Sequence, residues 1–261
     1  MSIAPLTDTL KIDRHGDGVV VLTIDRPHAR NAVDLVTAQA ISRTLDDLDA
    51  DDETRVIILT GAGGHFSAGM DLKAFAATGE RPVDDKRGAF GLVQMPPEKP
   101  IIAAVEGAAM GGGFEMALAC DLVVASEDTR FGLPETKRGL TAAGGGLLRL
   151  PLRIPYHLAM EAILTGQPLT ARRCAEVGLV NRLVPSGEVL AAALALAAEI
   201  ASNGPLAVRA SKKVVTEVES WPADERFARQ EKIVDPVRRS SDAREGAVAF
   251  AQKRTPRWSG K

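Results

Sequence analysis

Four runs of apolar residues, separated by polar and glycine-rich stretches, occur in the first half of the chain. They are VVVLTI at 19–24, RVIILT at 55–60, PIIAAV at 100–105 and DLVVAS at 121–126. The first two are continuous and rich in β-branched residues, a pattern typical of strands buried on both faces. Between them, segment 32–50 places apolar residues at helical spacing. The pattern predicts a layered α/β fold.

Two glycine-rich turns follow strands of this set. GAGGHFSAG at 61–69 comes after the second strand and EGAAMGGG at 106–113 after the third, and each leads toward a helix. Strand, glycine turn and helix therefore recur as a weak internal repeat.

Helical patterns fill the chain after Gly187. Three dipeptides that contain proline are expected to break them: Gly204-Pro205, Trp221-Pro222 and Asp235-Pro236. We predict two regions, an α/β core at 1–200 and a helical C-terminal region at 201–261. Segment 75–99 carries several charges and prolines, and strand patterning resumes directly after it, so it is interpreted as a mobile lid or loop rather than a domain linker.

The composition is that of an ordinary soluble protein, with 45% hydrophobic and 25% charged residues among 261. The formal net charge is −2 and aromatic residues make up 4%. Surfaces that bind nucleic acids are basic and offer aromatic stacking platforms, so we expect no nucleic-acid partner. No apolar run approaches membrane-spanning length, so we expect no membrane association.

Cys120 and Cys174 form no CxxC pair, which argues against a zinc ribbon or a redox motif. Both lie among apolar residues and are interpreted as buried thiols of a reducing compartment. The first residues lack the basic and apolar regions of a secretory signal. These features predict a cytoplasmic location.

No motif for phosphate, metal or triad chemistry is complete. Phe66 stands where GAGGHF would need the last glycine of GxGxxG, and no glycine run leads into Lys-Ser or Lys-Thr. There is no GxSxG, the four histidines show no triad arrangement, and neither HExxH nor a carboxylate cluster indicates a metal site. We therefore expect no bound metal.

The glycines have two interpretations. Backbone N–H groups at a helix N-terminus are unpaired, and glycine lets a ligand oxygen approach them closely. One donor from HFSAGMDL at 65–72 and one from GGGFE at 111–115 could form an oxyanion hole. Alternatively, the glycines permit close packing of helix and strand, and Glu115 merely complements the helix dipole.

Seven motifs occur in order along nearly the whole chain: IDRPHARNAV, FSAGMDL, EGAAMGGGFEMALACD, FGLPETKRGL, GGGLLRLP, LTGQPLTARRCAEVGLVNRLV and FAQKR. In these motifs the chain resembles the crotonase, or enoyl-CoA hydratase, superfamily. Each motif is weak alone, but the combination is highly specific. The resemblance implies an α/β crotonase (ClpP-like) fold of repeated ββα units. It also implies a C-terminal helical region that drives assembly into homotrimers, or hexamers of two stacked trimers.

The resemblance further implies a catalytic machinery that acts on an acyl-CoA thioester. The N–H groups of Met70 and Gly112 align with the pair that grips the thioester carbonyl in this family. Glu115 and Glu135 align with the two glutamates of the family's hydratases. By that analogy Glu115 activates the water that attacks C3, and Glu135 delivers a proton to C2. Taken alone, Glu135 would be interpreted as an exposed glutamate at a helix start.

Contacts to CoA or to the acyl chain are assigned by the same resemblance. The residues are Ala29, Ala68, Asp71, Leu72, Lys73, Phe114, Ala143, Phe250 and Lys253. Phe114 and the lid from Phe75 to Phe90 are expected to help shape the acyl pocket. A solvated surface charge is the alternative for each lysine, and core packing is the alternative for Phe114. Coenzyme A is part of the substrate, so no separate cofactor is expected. Two positions depart from the family pattern: Met70 is larger than the usual alanine or glycine, and Ala143 replaces a glycine near the catalytic water.

The leading hypothesis is reversible hydration of a trans-2-enoyl-CoA to a 3-hydroxyacyl-CoA, in fatty-acid or related acyl-CoA metabolism. A carnitinyl-CoA-type dehydratase would apply the same chemistry to another acyl group, and GLPETKRGLTAAGGGLLRLP favours that branch. An enoyl-CoA isomerase needs chiefly the second glutamate, so the presence of Glu115 argues against it. A non-catalytic acyl-CoA-binding paralogue would be expected to have lost a glutamate, and both are present.

Overall fold

The computed structural model describes residues 7–261. In that part of the chain the strands are β1 (Leu10–Arg14), β2 (Val19–Ile24), β3 (Val56–Gly61), β4 (Val83–Asp84), β5 (Gly88–Ala89), β6 (Ile101–Val105), β7 (Ala108–Met110), β8 (Leu122–Ser126), β9 (Arg130–Gly132), β10 (Leu169–Thr170) and β11 (Arg182–Val184). The α-helices are α1 (Leu35–Ala50), α2 (Leu72–Thr78), α3 (Gly112–Ala119), α4 (Gly146–Arg153), α5 (Tyr156–Thr165), α6 (Ala171–Glu176), α7 (Val189–Ala201), α8 (Pro205–Glu217), α9 (Arg226–Arg238) and α10 (Ser241–Ala251).

Six strands form the main sheet, in the order β1-β2-β3-β6-β8-β11. β1 is antiparallel to β2, and all the other neighbours in this sheet are parallel. A second sheet has the order β10-β9-β7, in which β9 runs parallel to β7 and antiparallel to β10. The crossovers between parallel strands carry the helices, as an α/β fold requires.

A ββα unit recurs along the first half of the chain. β6, β7 and α3 form one unit, and β8, β9 and α4 form the next. After β3, Ser67 makes a parallel bridge to Ala109 of β7, and α2 follows. The second strand positions of the three units therefore lie side by side, which brings the glycine turns together at one place. The repeat predicted from the glycine turns is present.

Helices cover both faces of the main sheet. On one face, α7 buries Val189, Ala193, Ala197 and Ala201, spaced four residues apart, against the valines and isoleucines of the strands. The small alanine side chains let this helix approach the sheet closely. The opposite face belongs to a larger core that includes the buried sides of α1 and α3.

The long strands match the sequence pattern within one residue at each end. β2, β3, β6 and β8 are the four predicted strands, and α1 fills the predicted helical segment. The short strands β7, β9 and β10 were not predicted, because two or three residues show no periodicity and their pairing depends on neighbours distant in sequence. β1 is also absent from the predicted strands, since LKIDR has only two apolar residues and forms a strand at the sheet edge through its pairing with β2.

Segment 75–99 has more regular structure than the loop predicted from its charges and prolines. It contains the end of α2 and the β4–β5 hairpin, and its second half packs against α1. The side chain of Arg87 is 3% exposed and pairs with Asp46 (2.7 Å) and Asp49 (2.9 Å) of α1. Its charge is neutralised inside the protein rather than solvated. Residues 90–99 form a loop without helix or strand, as predicted, and Arg87 anchors the start of this loop to α1.

Two of the three predicted helix breaks occur. Gly204-Pro205 separates α7 from α8, and Trp221-Pro222 separates α8 from α9. Pro236 instead lies inside α9, in its last turn. A proline there removes a single intrahelical hydrogen bond, which the helix tolerates. The boundary predicted after residue 200 falls at the C-terminal end of α7, and beyond it α8 and α10 both pack against α9.

Among the described residues, no single helix is long and apolar enough to cross a membrane. α7 and the helical stretch Pro205–Ser220 would together satisfy length and composition, but they meet at 105°.

Cys120 and Cys174 are buried, as predicted. Burial raises the pKa of the Cys174 thiol to about 12 and also raises that of Cys120. Both thiols are therefore protonated and unreactive at neutral pH.

Candidate active site

Two backbone N–H groups, in the turns after β3 and β7, have no partner. Val33 and Met70 form an isolated parallel bridge in which Val33 N–H donates to Gly69 O (2.7 Å) and Asp71 N–H donates to Val33 O (2.9 Å). The N–H of Met70 therefore points to the other side. Gly112 is the first residue of α3, where N–H groups lack intrahelical acceptors. Within the described chain, neither Met70 N–H nor Gly112 N–H donates to another residue.

Glycines allow these two turns to touch. A β-carbon built on Gly69, whose φ is +88°, would lie 2.6 Å from Gly112 N. A β-carbon on Gly113 would overlap Ser67 O and lie 2.8 Å from Ser67 C. Larger residues would thus push the turns apart. The packing interpretation of the glycines is confirmed, and the same packing holds the two free N–H groups next to each other.

Asn31 joins the neighbouring turns through hydrogen bonds, and it is not among the site residues predicted from the sequence. Its side-chain amide donates to Ala62 O (2.8 Å) and His65 O (2.6 Å), and its Oδ1 accepts from Arg26 N–H (3.0 Å). The hydroxyl of Ser67 donates to Asn31 O (2.7 Å). Asn31 is fully buried with φ +55°, a conformation that asparagine tolerates better than most residues. Its place in the RNAV motif was the available signal.

Glu115 lies in the first turn of α3 with 3% of its surface exposed. Its Oε1 accepts a hydrogen bond from Gly146 N–H (2.9 Å). Burial raises the pKa of the Glu115 carboxyl, and the negative charge of Glu135 raises it further. The N–H groups of Gly146 and Gly144 and the charge of Arg149 oppose this shift without reversing it.

Glu135 is half-buried in the 3-10 helix Pro134–Arg138, which follows β9. A β-carbon built on Gly111 would lie 3.0 Å from its Oε1, so the carboxyl group faces the N-terminal end of α3. Its Oε2 is buried and has no hydrogen-bond partner among the described residues. Burial raises the pKa of Glu135, while its own backbone N–H and the charge of Arg138 act in the other direction. A buried, unpartnered carboxylate oxygen is costly and marks a position that a ligand can satisfy.

The site therefore combines two carboxyl groups with two free N–H groups around one helix N-terminus. A carbonyl oxygen held by both N–H groups would be stabilised as it gains negative charge. Two neighbouring carboxyls with raised pKa values can keep one proton between them and can both give and take protons. The arrangement suits reactions that move protons on carbons next to a carbonyl.

Gly144 faces the buried carboxylate of Glu115. A β-carbon on Gly144 would lie 2.5 Å from Glu115 Oε2, whereas the Ala143 side chain is exposed. Gly144 and Gly146 are therefore the residues of this loop that contact Glu115. The placement of Ala143 near the catalytic water stays a prediction.

The other predicted binding residues are distributed around the first turn. Asp71 caps α2 by accepting from Lys73 N–H and Ala74 N–H (both 3.0 Å), and it pairs with Arg26 (2.9 Å). The Asp71 carboxylate is therefore already hydrogen-bonded and ion-paired within the protein. Leu72 and the side chain of Lys73 are exposed on α2, near the Met70 end of the site.

Ala29 and Ala68 lie on adjacent turns, since Ala68 N–H donates to Arg30 O (3.0 Å). Ala68 is exposed and Ala29 is half-buried, so backbone at both is close to the surface. Phe114 is buried against Phe131, with ring centroids 5.2 Å apart. Phe114 is thus part of the core, which was the alternative interpretation for this residue.

Phe250 and Lys253 lie elsewhere. Phe250 is on α10, which packs against α9, and is 87% exposed. Lys253 follows the same helix and is also exposed. Within one chain, the structure does not bring either residue to the glutamates. Among residues 7–261, no three His, Cys, Asp or Glu side chains are grouped as metal ligands would be.

Comparisons with known proteins agree with this geometry. The sequence model of the family described as enoyl-CoA hydratase/isomerase matches residues 14–261. The chain is 43% identical over 253 residues to an enoyl-CoA hydratase of Mycobacterium tuberculosis, covering 94% of each protein. It is 41% identical over 264 residues to a carnitinyl-CoA dehydratase of Salmonella typhi, covering 98% of this chain and 100% of the relative.

The structure also superimposes on a solved one. An enoyl-CoA hydratase from Mycobacterium marinum matches with a TM-score of 0.95 and 53% identity, covering 98% of this chain and 100% of that chain. The predicted crotonase fold is confirmed. The chain belongs to the enoyl-CoA hydratase/isomerase family.

Proposed function

We propose that this enzyme adds water reversibly to a trans-2-enoyl-CoA and forms a 3-hydroxyacyl-CoA. The observation that carries the proposal is the pair of buried carboxyls, Glu115 and Glu135, at the same helix end as the free N–H groups of Met70 and Gly112. An isomerase would not require both carboxyls. A pure binding protein would gain nothing from burying them.

In the proposed reaction, the thioester oxygen accepts hydrogen bonds from the Met70 and Gly112 N–H groups. Glu115, ionised, takes a proton from water as the water oxygen forms its bond to C3. The C2–C3 π electrons move toward C2 and the thioester oxygen, where the two N–H groups stabilise the enolate. Glu135, protonated, then gives its proton to C2. The pair holds one proton before and after the reaction, and proton exchange restores the starting state.

The assignment is tested by the loss of enoyl-thioester absorbance with crotonyl-CoA. Glu115→Gln and Glu135→Gln should each reduce kcat by about 10²–10⁴-fold, as expected for an acid–base group. Glu127→Gln, at an exposed glutamate paired with Arg172, is the matched control and should keep full activity. Wild-type protein that binds enoyl-CoA thioesters but hydrates none of them would refute the proposal.

A second candidate is dehydration of carnitinyl-CoA, in which the same groups act in reverse. It is favoured by the 41% identity to the carnitinyl-CoA dehydratase of Salmonella typhi over 98% of this chain. Mass spectrometry of reactions with carnitinyl-CoA and 3-hydroxybutyryl-CoA separates the two candidates. The substrate with the higher kcat/KM identifies the acyl group for which the site is built.

We also propose that the enzyme assembles as a trimer, or as a hexamer of two trimers. Support comes from apolar side chains exposed on the C-terminal helices: Val215, Phe227, Val248 and Phe250. A large exposed apolar surface on late helices is typical of a subunit interface. The assignments of Lys73 and Lys253 to CoA phosphates remain predictions.

A further inference from the structure

The ring of Phe90 occupies the space beside the proposed reaction centre. A β-carbon built on Gly112 would collide with this ring, at 2.6 Å from Cε1, and one on Gly144 would lie 3.0 Å from Cε2. Gly144 in turn lies against Glu115 Oε2. The ring therefore rests on two glycines, one bearing a free N–H group and the other touching the buried carboxylate.

Hydrogen bonding and close packing hold the backbone around Phe90, and this determines where its ring lies. Phe90 has φ +57°, a conformation that is rare for an aromatic residue, and its N–H donates to Pro82 O (2.7 Å). A β-carbon on Gly91 would lie 2.9 Å from Ser42 N, which shows how closely the next residue is pressed against α1. Just before it, Arg87 is anchored to α1 by two ion pairs. These contacts hold the backbone of Phe90 against α1.

We propose that Phe90 sets the length of acyl chain that the enzyme accepts, by closing the site just beyond the reacting carbons. This inference rests on the proposed hydration of enoyl-CoA. A thioester held by Gly112 N–H with C3 at Glu115 directs its remaining carbons along the surface that the ring covers. Short, compact 2-enoyl groups fit beneath the ring, and longer chains must displace it.

Core packing alone would explain the burial of Phe90 but not its contacts. The ring lies against two glycines whose missing side chains leave it room, at the edge of the chemical groups. A purely structural phenylalanine would change stability when truncated and would leave the ratio of activities on short and long substrates unchanged. The two roles therefore differ in a measurable ratio.

The test compares kcat/KM for crotonyl-CoA and trans-2-decenoyl-CoA in wild type, Phe90→Ala and the milder Phe90→Leu. Each newly buried methylene should raise kcat/KM for decenoyl-CoA roughly fourfold. The ratio of kcat/KM for decenoyl-CoA to that for crotonyl-CoA should therefore rise by about 10–100-fold in Phe90→Ala and by less in Phe90→Leu. Met95→Ala, at an exposed side chain of the same segment, is the control and should leave the ratio unchanged. An unchanged ratio in a folded Phe90 variant would overturn the proposal.

A binding measurement separates this inference from the proposed function. Calorimetric titration with butyryl-CoA and decanoyl-CoA, which cannot be hydrated, reports chain-length preference without chemistry. If wild type hydrates no enoyl-CoA but Phe90→Leu still shifts affinity toward decanoyl-CoA, the proposed function fails and the role of Phe90 stands. If hydration is observed and neither ratio shifts, the role of Phe90 fails and the proposed function stands.

Discussion

At the scale of single residues, Glu115 holds its carboxyl group where water barely reaches and a second carboxylate is near. Gly146 N–H stabilises the ionised form, but burial and the charge of Glu135 prevail and raise the pKa. A group whose pKa is raised on folding binds its proton more tightly in the folded state. Ionisation of this group therefore lowers stability as pH rises from the ordinary carboxyl range through the raised pKa. The protein thus accepts a stability cost at neutral pH in order to keep a base in its site.

Glu115→Gln should consequently be more stable than wild type at about pH 8 and lose that advantage toward about pH 4, near the unperturbed carboxyl pKa. Glutamine keeps an oxygen to accept from Gly146 N–H but cannot ionise. Thermal melting of both proteins across this pH range measures the difference. A variant that is less stable than wild type at neutral pH would contradict this account.

Gly113→Ala should destabilise the fold, although alanine normally favours a helix interior by about 0.5–1 kcal/mol. The new methyl group would overlap Ser67 O, a backbone atom that cannot rotate away. We expect a loss of about 1–3 kcal/mol in urea unfolding, as for other overpacked sites. Gly16→Ala, where nothing lies within 4 Å of the added carbon, is the control and should change stability little.

The proposed catalytic glutamates could be predicted because each lies in a short contiguous motif. Asn31 and Gly144 could not, since their contacts join loops that are distant in sequence. Phe90 lies in the segment that was expected to shape the acyl pocket, but its contacts with Gly112 and Gly144 are visible only in the structure. No local pattern records that a phenylalanine ring rests on two glycines from other units of the fold.

At the scale of elements, four strands of the main sheet, β2, β3, β6 and β8, could be predicted from sequence because burial on both faces makes them continuous apolar runs. The second sheet could not, because its two- and three-residue strands exist through pairing with one another. In the segment between α2 and β6, the loop could be predicted but the anchoring of Arg87 could not. Charge indicated solvent exposure, while Arg87 is buried and paired with two aspartates of α1.

Arg87→Met should therefore destabilise the protein by about 3–5 kcal/mol, the usual cost of breaking a buried ion pair. Asp49 would lose its ion pair, Asp46 would keep only its pair with Lys86, and the segment that presents Phe90 would loosen. Lys86→Met is a matched control, since Lys86 also pairs with Asp46 but its side chain is 57% exposed. Loss of the Lys86–Asp46 ion pair should lower the free energy of unfolding by at most about 1 kcal/mol. Equal effects of the two substitutions in chemical unfolding would show that Arg87 is no anchor.

At the scale of the whole molecule, the apolar side chains exposed on the late helices support the proposed trimer or hexamer. Light scattering should give a solution mass of three or six times the 27.6 kDa of one chain. Phe250→Asp, which places a charge on the exposed ring position, should shift this mass toward the monomer. Gln252→Asp adds the same charge at the end of the same helix and should do so less. A monomeric wild type would end the assembly proposal.

The buried cysteines make the native protein convenient for spectroscopy. Cys120 and Cys174 are the only thiols in the chain, and burial keeps both protonated at neutral pH. A maleimide dye or spin label will therefore not react with these two thiols while the protein is folded. A single cysteine introduced at an exposed position, such as Met95, can carry a probe without removing either native residue. The probe then reports whether the Phe90 segment keeps its position on substrate binding, in an otherwise unaltered enzyme.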